Sequence, residues 1–269
     1  MTTSSSTPTI ETSRVNNTKQ NRAHPWGYFF YCEFLKILRN PPAVVFGIGF
    51  PTLFFLIFAN AFDAKYAPSM LAQYAAYGAF VVSFQTFSIA IASERSQGWN
   101  KLLRTTSMSA TLYLGSKFLV IILTGIISLL TLFAVATITG RVHMDISVWA
   151  RLFGFMLIGM VPFSLLGIFL GFVGSTNLAQ TVSTVLSLIL AFASGLFVPL
   201  QFLPTFVTTI APYVPTYHLG QLAWYAVNAS WSMDSHPYWF HLLILGAFAI
   251  VFLILAGWAY IRDENKNFA

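Results

Sequence analysis

The sequence predicts an all-α integral membrane protein with six transmembrane helices. Hydrophobic residues make up 57% of its 269 residues and charged residues only 8%, whereas a soluble domain carries about 25% charged residues. Six apolar windows are also long enough to cross a hydrocarbon core of about 30 Å, which takes about 20 helical residues. These windows are 43–62, 71–92, 113–138, 149–173, 178–199 and 239–261. Because Cys32 is the single cysteine, an intrachain disulfide and a cysteine-rich metal site are excluded.

The region before the first window has two parts. Residues 1–22 are rich in serine, threonine and asparagine and predict a disordered cytoplasmic tail. Residues 23–269 are expected to form a single transmembrane domain. This domain opens with an amphipathic helix in the membrane interface, because apolar and charged side chains fall on different helical faces before Pro41-Pro42. The apolar face is formed by Trp26, Phe30, Phe34 and Ile37.

Lysine and arginine set the predicted orientation, because cytoplasmic loops are enriched in these residues. Placing both termini and the 93–117 loop in the cytoplasm leaves only Lys65, Arg141 and Arg151 outside, against eleven basic residues inside. The chain is therefore expected to be a multi-pass protein of the cell membrane with cytoplasmic N- and C-termini. Basic residues that flank spans also account for the net charge of +6 without a nucleic-acid partner.

The loop after the second window concentrates charge between two long apolar runs. Within it Trp99, Leu102 and Leu103 recur at helical spacing, which predicts a short amphipathic helix over about 97–108. By composition alone this helix suits the lipid surface as well as an apolar groove in a partner protein.

A second irregular segment is predicted between the fifth and sixth windows, over 200–228. Pro204, Pro212 and Pro215 follow one another closely, and a straight spanning helix does not tolerate them easily. Irregular backbone at membrane depth must be covered by protein or water. We therefore expect a re-entrant helical segment that caps the outer end of the helical bundle.

The sequence offers no catalytic constellation. It contains no Gly-Lys dipeptide, so it lacks the phosphate-binding loop of an ATPase. His218, His236 and His241 lack metal-ligand spacing and are interpreted as interfacial polar anchors. We expect a protein that is not an enzyme and binds no cofactor or metal. A self-sufficient channel or an intramembrane enzyme is the alternative, although neither a ligand ring nor a reactive group at depth is evident.

Two stretches resemble a known family. Glu94-Arg95, Gly98, Leu103, Thr106 and Ser109 resemble the E-R-x-x-G-x-x-x-x-L-x-x-T-P-x-S signature of type-2 ATP-binding-cassette (ABC-2) exporter permeases, with Ser107 in place of the usual proline. About 100 residues later, Gly195 to Pro199, Leu203-Pro204 and Pro215 to His218 resemble the family's outer re-entrant segment.

The resemblance implies roles for these stretches. The 93–111 loop would hold the coupling helix that contacts a cytosolic ATPase subunit, and the interfacial helix would be the family's elbow helix. ATP and Mg²⁺ would bind to an ATPase dimer, and a second permease copy, identical or different, would complete the assembly within membrane lipid. The coupling residues would be Glu94, Arg95, Gly98, Trp99, Leu102, Leu103 and Thr106.

A transport pathway lined by the first, second and fifth spans is also expected, from the resemblance and from uncharged polar side chains inside the spans. The fifth span should meet the second permease copy, whereas Gly167 and Gly171 should pack within one subunit. The pathway candidates are Asn60, Phe84, Gln85, Gln180, Ser183 and Ser187.

The cargo is indicated only by resemblance. The G-W-x-x-x-L-R-x-T run at 98–106 and the P-T-Y-H-L run at 215–219 resemble drug and antibiotic exporters of the family. This implies a hydrophobic or amphipathic cargo such as a drug, an antibiotic or a lipid-like compound. Polysaccharide exporters typically carry an R-Y-x-x-S-x-L-G-x-x-W stretch that is absent here, so export of a lipid-linked glycan is the alternative.

Overall fold

The computed structural model describes residues 31, 34, 35, 39, 44–98, 110–229 and 234–266. These residues form helices and turns, and no strand occurs among them, so the all-α fold is confirmed. The predicted tail and most of the predicted interfacial helix lie outside them. The helices are α1 (Val45–Ala61), α2 (Ala64–Ser96), α3 (Ala110–Ile138), α4 (Ile146–Val173), α5 (Thr176–Ala193), α6 (Thr205–Ile210), α7 (Pro215–Ala226) and α8 (Tyr238–Lys266).

Five of these helices, α2, α3, α4, α5 and α8, are long and apolar enough to cross a membrane. Helix α1 is apolar but shorter, and the residues just before it, 40–43, lie outside the described part of the chain. The first of the six predicted spans, at α1, therefore stays a prediction. The other five predicted windows each coincide with a long helix.

Helix α2 is the centre of the bundle. It runs for 33 residues, is the most buried of the five spans, and packs against α1, α3, α4, α5 and α7. Its middle contains a π-helical turn, Val82–Thr86, which places Phe84 and Gln85 in one widened turn. Such turns are rare within α-helices and occur frequently at functional sites.

Two glycines of α4 allow it to lie directly against α2. A Cβ atom at Gly167 would lie 2.8 Å from the carbonyl oxygen of Phe84, and one at Gly171 would lie 2.8 Å from Cβ of Ile91. Neither position can hold a larger side chain without moving α2. The prediction that this glycine pair packs within one subunit is confirmed.

Helix α5 ends earlier than its apolar window, at Ala193 rather than at 199. Gly195 adopts φ +79° and donates its N–H to the carbonyl of Phe192, while Leu196 donates to the carbonyl of Ala191. This is the Schellman arrangement, which ends a helix at a glycine in the left-handed region. Hydropathy continues through the turn and therefore could not show where the helix ends.

We expect Gly195→Ala to lower the stability of the chain by about 1 to 2 kcal/mol, because an alanine at positive φ is strained. The added Cβ would also lie 2.7 Å from Cγ of Leu200. The apparent unfolding temperature of the purified chain measures this loss. Gly246→Ala in α8 is the matched control, because its Cβ would meet no atom within 4 Å. An equal unfolding temperature for the two variants would contradict the prediction.

The segment between α5 and α8 consists of short pieces. Helices α6 and α7 have 6 and 12 residues, too few to cross a bilayer core of about 30 Å. Helix α7 is almost entirely buried and contacts α2, α4 and α8, so protein covers most of its surface. This covering is what irregular backbone near membrane depth requires. The depth of the segment in the bilayer stays a prediction.

Candidate coupling junction and transport seam

The last turn of α2 carries two charged residues that contact three other helices. Glu94 accepts a hydrogen bond from the hydroxyl of Tyr113 at 2.6 Å and forms an ion pair with Lys117, both on α3. The Lys117 side chain is 6% exposed and the Glu94 side chain 12%. A buried ion pair is therefore one of the contacts that join α2 to α3.

Arg95 connects α2 to α4 and α8. Its guanidinium donates to the carbonyl oxygens of Gly171 at 2.7 Å and Gly174 at 3.0 Å, and forms an ion pair with Asp263 of α8. The carbonyls at a helix C-terminus lack partners within the helix and carry partial negative charge, so a cation is favourable there. The guanidinium also lies over the ring of Phe172, 5.5 Å from its centroid.

We call Glu94, Arg95, Tyr113, Lys117 and Asp263 the α2 junction. The start of α5 is fixed to the same turn, because the hydroxyl of Thr176 lies 3.1 Å from the carbonyl oxygen of Ala92. The last turn of α2 is thus bonded to α3, α4, α5 and α8. A displacement of this turn would have to move these helices or break the contacts.

The predicted coupling residues are only partly described. Glu94 and Arg95 lie in the α2 junction, and Gly98 follows α2 with φ +74° and its N–H bonded to the carbonyl of Arg95. The remaining predicted coupling residues lie outside the described residues. They are Trp99, Leu102, Leu103 and Thr106.

The partners of Glu94 and Arg95 were not identified from the sequence. Lys117 was used only to assign topology, and Tyr113 and Asp263 were not singled out. The sequence signal that could have identified them is charge complementarity. Lys117, near the start of α3, has the charge opposite to that of Glu94, and Asp263, near the end of α8, has the charge opposite to that of Arg95. Only the packing of the helices shows which charge meets which.

Two of the predicted pathway residues lie apart from one another. Gln85, in the π-helical turn, donates its side-chain N–H to the hydroxyl of Thr184 on α5 at 2.8 Å. Asn60, at the far end of α1, accepts from the Arg141 guanidinium at 2.8 Å and donates to the carbonyl of Leu56. We call the contact of Gln85 with Thr184 the α2–α5 seam.

The other pathway candidates differ in exposure. Phe84 is fully buried and stacks on Phe80, so it belongs to the core of the subunit. Ser183 and Ser187 are buried on the side of α5 that packs within the subunit. Gln180 is exposed.

Helix α5 also exposes a polar stripe beside the seam. Its side chains lie on one helical face and are solvent-accessible in the single chain, although they belong to a membrane span. Uncharged polar groups in a span face a bundle interior, a cavity or a partner far more often than lipid. The stripe consists of Asn177, Gln180, Thr181 and Thr184.

A polar cluster lies at the opposite end of the bundle, where α7 meets α8. His218 Nδ1 is 2.9 Å from His241 Nδ1, and His218 Nε2 is 3.0 Å from the carbonyl oxygen of Pro212. A carbonyl can only accept, so His218 carries its proton on Nε2 and accepts at Nδ1 from His241. Burial lowers the pKa of His218 to about 4.

Asp234 lies at the edge of the same cluster. Burial alone would raise its pKa, but hydrogen bonds from the backbone and ring of His236 and from the hydroxyl of Tyr217 outweigh burial and hold the pKa below its usual value. Nε2 of His241 lies 3.9 Å from Oδ2 of Asp234. Of the three histidines predicted as interfacial polar anchors, His218 and His241 thus form a buried pair beside a carboxylate.

We expect the chain to lose stability as the pH falls from about 6.5 toward 4, because His218 is protonated in the unfolded chain before it is protonated in the folded one. At pH 5 the loss should be on the order of 2 kcal/mol relative to pH 7. The apparent unfolding temperature at both pH values measures it. His218→Asn should reduce this difference, and an unchanged difference in that variant would assign the acid sensitivity to other groups.

A bundle of long apolar helices, joined at one end by buried ion pairs, defines a multi-pass helical membrane protein. Residues 60–258, about three quarters of the chain, match the family described as ABC-2 family transporter protein. The chain therefore belongs to the ABC-2 transporter family, and the predicted resemblance is confirmed. It is a transmembrane permease of an ABC transporter, a transport component rather than a catalyst.

The chain is also similar to a protein of Bacillus subtilis (strain 168) named "Putative transport permease YvfS". The two sequences are 28% identical over 244 residues, which cover 87% of this chain and 95% of the relative. Membership of the family implies an ABC ATPase as partner.

Proposed function

We propose that this chain is the permease subunit of an ATP-driven exporter of hydrophobic or amphipathic compounds. A separate cytosolic ATPase dimer binds ATP and Mg²⁺ and contacts the 93–111 loop. The observation that carries the proposal is the α2 junction. The loop continues directly from a helix end that is bonded to α3, α4, α5 and α8.

The junction supports a mechanical role for α2. Glu94 and Arg95 lie only four and three residues before Gly98, where the helix has just ended. Force applied to the loop reaches a rigid helix within one turn. Because Arg95 holds the end of α4 and Asp263 of α8 together, movement of α2 is transmitted to both helices rather than absorbed by a linker.

The pathway is proposed at the α2–α5 seam. Helices α5 and α8 are the least buried spans of the single chain, but they expose different surfaces. Helix α8 exposes mainly apolar side chains, which suits lipid, whereas α5 adds the polar stripe. This difference favours an α5 that faces a cavity shared with a second, identical copy of the chain. Ser183 and Ser187 then support the seam from the buried side of α5.

Orientation and cargo complete the proposal. The α2 junction lies on the cytoplasmic side together with both termini, because that arrangement leaves only three basic residues outside. The outer connections are short, so the cargo is handled at the level of the bilayer. The largely uncharged spans suit a hydrophobic or amphipathic compound better than an ion.

The test is reconstitution of the full chain into lipid vesicles with and without the ABC ATPase that co-purifies with it. The chain alone should neither hydrolyse ATP nor pass ions, and the complex should drive ATP-dependent movement of an amphipathic dye such as Hoechst 33342. ATP hydrolysis or ion current by the chain alone would overturn the proposal. Loss of a surface glycan on deletion, with no change in dye movement, would replace the cargo by a lipid-linked glycan.

We expect Gln180→Trp and Thr181→Trp to reduce export by at least about tenfold, because each places a large side chain in the proposed cavity without entering the packed core. ATP-dependent dye movement measures the effect at matched expression. Leu253→Trp and Ile254→Trp on exposed apolar positions of α8 are the controls and should retain export. Equal loss in both sets would contradict the cavity.

A further inference from the structure

We propose that the chain contains a binding site for an uncharged aromatic or alkyl compound carrying one hydrogen-bond donor. The site is a cavity of about 280 Å³ between α1, the first turns of α2 and the residues that follow α5. None of the predicted pathway residues lines it. Its assignment as a cargo site rests on the proposed export function, whereas the binding itself does not.

The walls of the cavity are mostly aromatic. Five of its nine lining residues are Phe58, Phe62, Tyr74, Phe197 and Phe202, and the described residues that line it include no charged side chain. Phe58 stacks on Tyr74 with ring centroids 6.0 Å apart, so part of the wall is held in place. Flat, rigid walls of this kind favour a flat or slender apolar ligand.

One amide side chain lies in this largely aromatic wall. Gln73 is 1% exposed, and its Oε1 atom is buried without a hydrogen-bond partner among the described residues. Buried polar atoms in folded proteins are nearly always bonded, and an unbonded one destabilises the empty state. A ligand that donates a hydrogen bond to Gln73 removes this defect when it binds.

The two observations together define the ligand class. Apolar walls without charge disfavour ions, since no described lining residue would pair with them. An unpaired acceptor distinguishes a hydroxyl or N–H compound from an isosteric ether, because the ether leaves Gln73 unsatisfied. The site therefore selects neutral amphipathic molecules with a donor over fully apolar ones.

The segment that follows α5 forms one wall of the cavity. Phe197 packs against Phe54 and Tyr77 at 5.1 and 5.9 Å, just past the glycine that ends α5. Phe202, in the turn Leu200–Phe202, is 62% exposed. One wall of the cavity thus belongs to a turn segment, outside any long helix.

The experiment compares two probes of nearly equal shape, 1-naphthol, which donates a hydrogen bond, and 1-methoxynaphthalene, which cannot. Equilibrium binding is measured to the full chain in lipid nanodiscs, with empty nanodiscs subtracted. We expect naphthol to bind about tenfold more tightly. In Gln73→Leu, which keeps the side-chain size and removes the acceptor, the two probes should bind with nearly equal affinity.

Matched variants locate the effect. Gln201→Leu changes a nearby exposed glutamine that does not line the cavity and should keep the tenfold preference. Val198→Trp fills the cavity and should abolish saturable binding of both probes. A parent chain without preference, as expected if a lipid acyl chain or a second copy fills the cavity, would overturn the inference. So would a preference that survives Gln73→Leu.

Failure of this inference is distinguishable from failure of the proposed function. ATP-driven dye export by the complex, together with absent probe preference, would remove the site and leave the exporter. A tenfold preference that disappears in Gln73→Leu, together with no ATP-driven transport by the complex, would leave the binding site and remove the export function.

Discussion

Arg95→Leu is expected to lower the stability of the chain by about 3 to 5 kcal/mol and to abolish export, because it removes the guanidinium that forms an ion pair with the buried Asp263 carboxylate. The Asp263 side chain is 9% exposed, and the carbonyls of Gly171 and Gly174 would lose their donor at the same time. Apparent unfolding temperature and ATP-dependent dye movement by the complex measure the two effects.

The neighbouring arginine provides the control. Arg262 is exposed on α8 and lies over the ring of Trp258 at 5.1 Å, so Arg262→Leu should change stability by less than about 1 kcal/mol. Adding Asp263→Asn to Arg95→Leu should recover part of the stability, because the buried negative charge that Arg95 compensated is removed. It should not recover export, because the link between α2 and α8 is still broken. Equal stability of Arg95→Leu and Arg262→Leu would show that the Arg95–Asp263 ion pair is only a surface contact.

The fold class could be predicted from the sequence because the bilayer imposes strong constraints on composition and length. A chain with 8% charged residues cannot form an ordinary soluble surface, and helices are one of two structures that satisfy the backbone in lipid. Five long helices accordingly coincide with the predicted windows. The first window, 43–62, coincides with the apolar helix α1, which is shorter than the other five.

Element ends and side-chain directions were harder to predict. Hydropathy does not distinguish the last turn of α5 from the Schellman turn at Gly195, because both are apolar. The sequence around Gln85 likewise gave no sign of a π-helical turn. Ser183 and Ser187 have the spacing of a helix contact, but only packing shows that both are buried within the subunit.

The candidate site was half predictable. Glu94 and Arg95 were predicted because they match the E-R pair of the family signature. Their partners are 23 and 168 residues away in sequence, and no local pattern encodes such distances. The aromatic cavity also joins two distant stretches of the chain, so Gln73 appeared in the sequence as one of several polar residues within spans.

Glu94→Gln is expected to uncouple ATP hydrolysis from export. Glutamine retains an oxygen that accepts from Tyr113, but it removes the charge that holds the buried ammonium group of Lys117. The end of α2 would then be held less firmly to α3, while the ATPase sites on the partner are untouched. We expect ATP hydrolysis within about twofold of the parent and export at least about tenfold lower, which corresponds to a typical coupling energy.

Two comparisons separate this role from a purely structural one. If Glu94 and Lys117 only stabilise the fold, Glu94→Gln with Lys117→Gln, which replaces the ion pair by a neutral hydrogen-bonded pair, should restore both stability and export. If the ion pair transmits force, the double variant should regain stability and still hydrolyse ATP without exporting. Trp99→Ala with Leu103→Ala, in the loop itself, should instead weaken co-purification of the ATPase, because it removes apolar side chains that a docked helix would bury. If all of these variants bind the ATPase, hydrolyse ATP and export like the parent, the loop is no more than a surface helix and α2 does not transmit force.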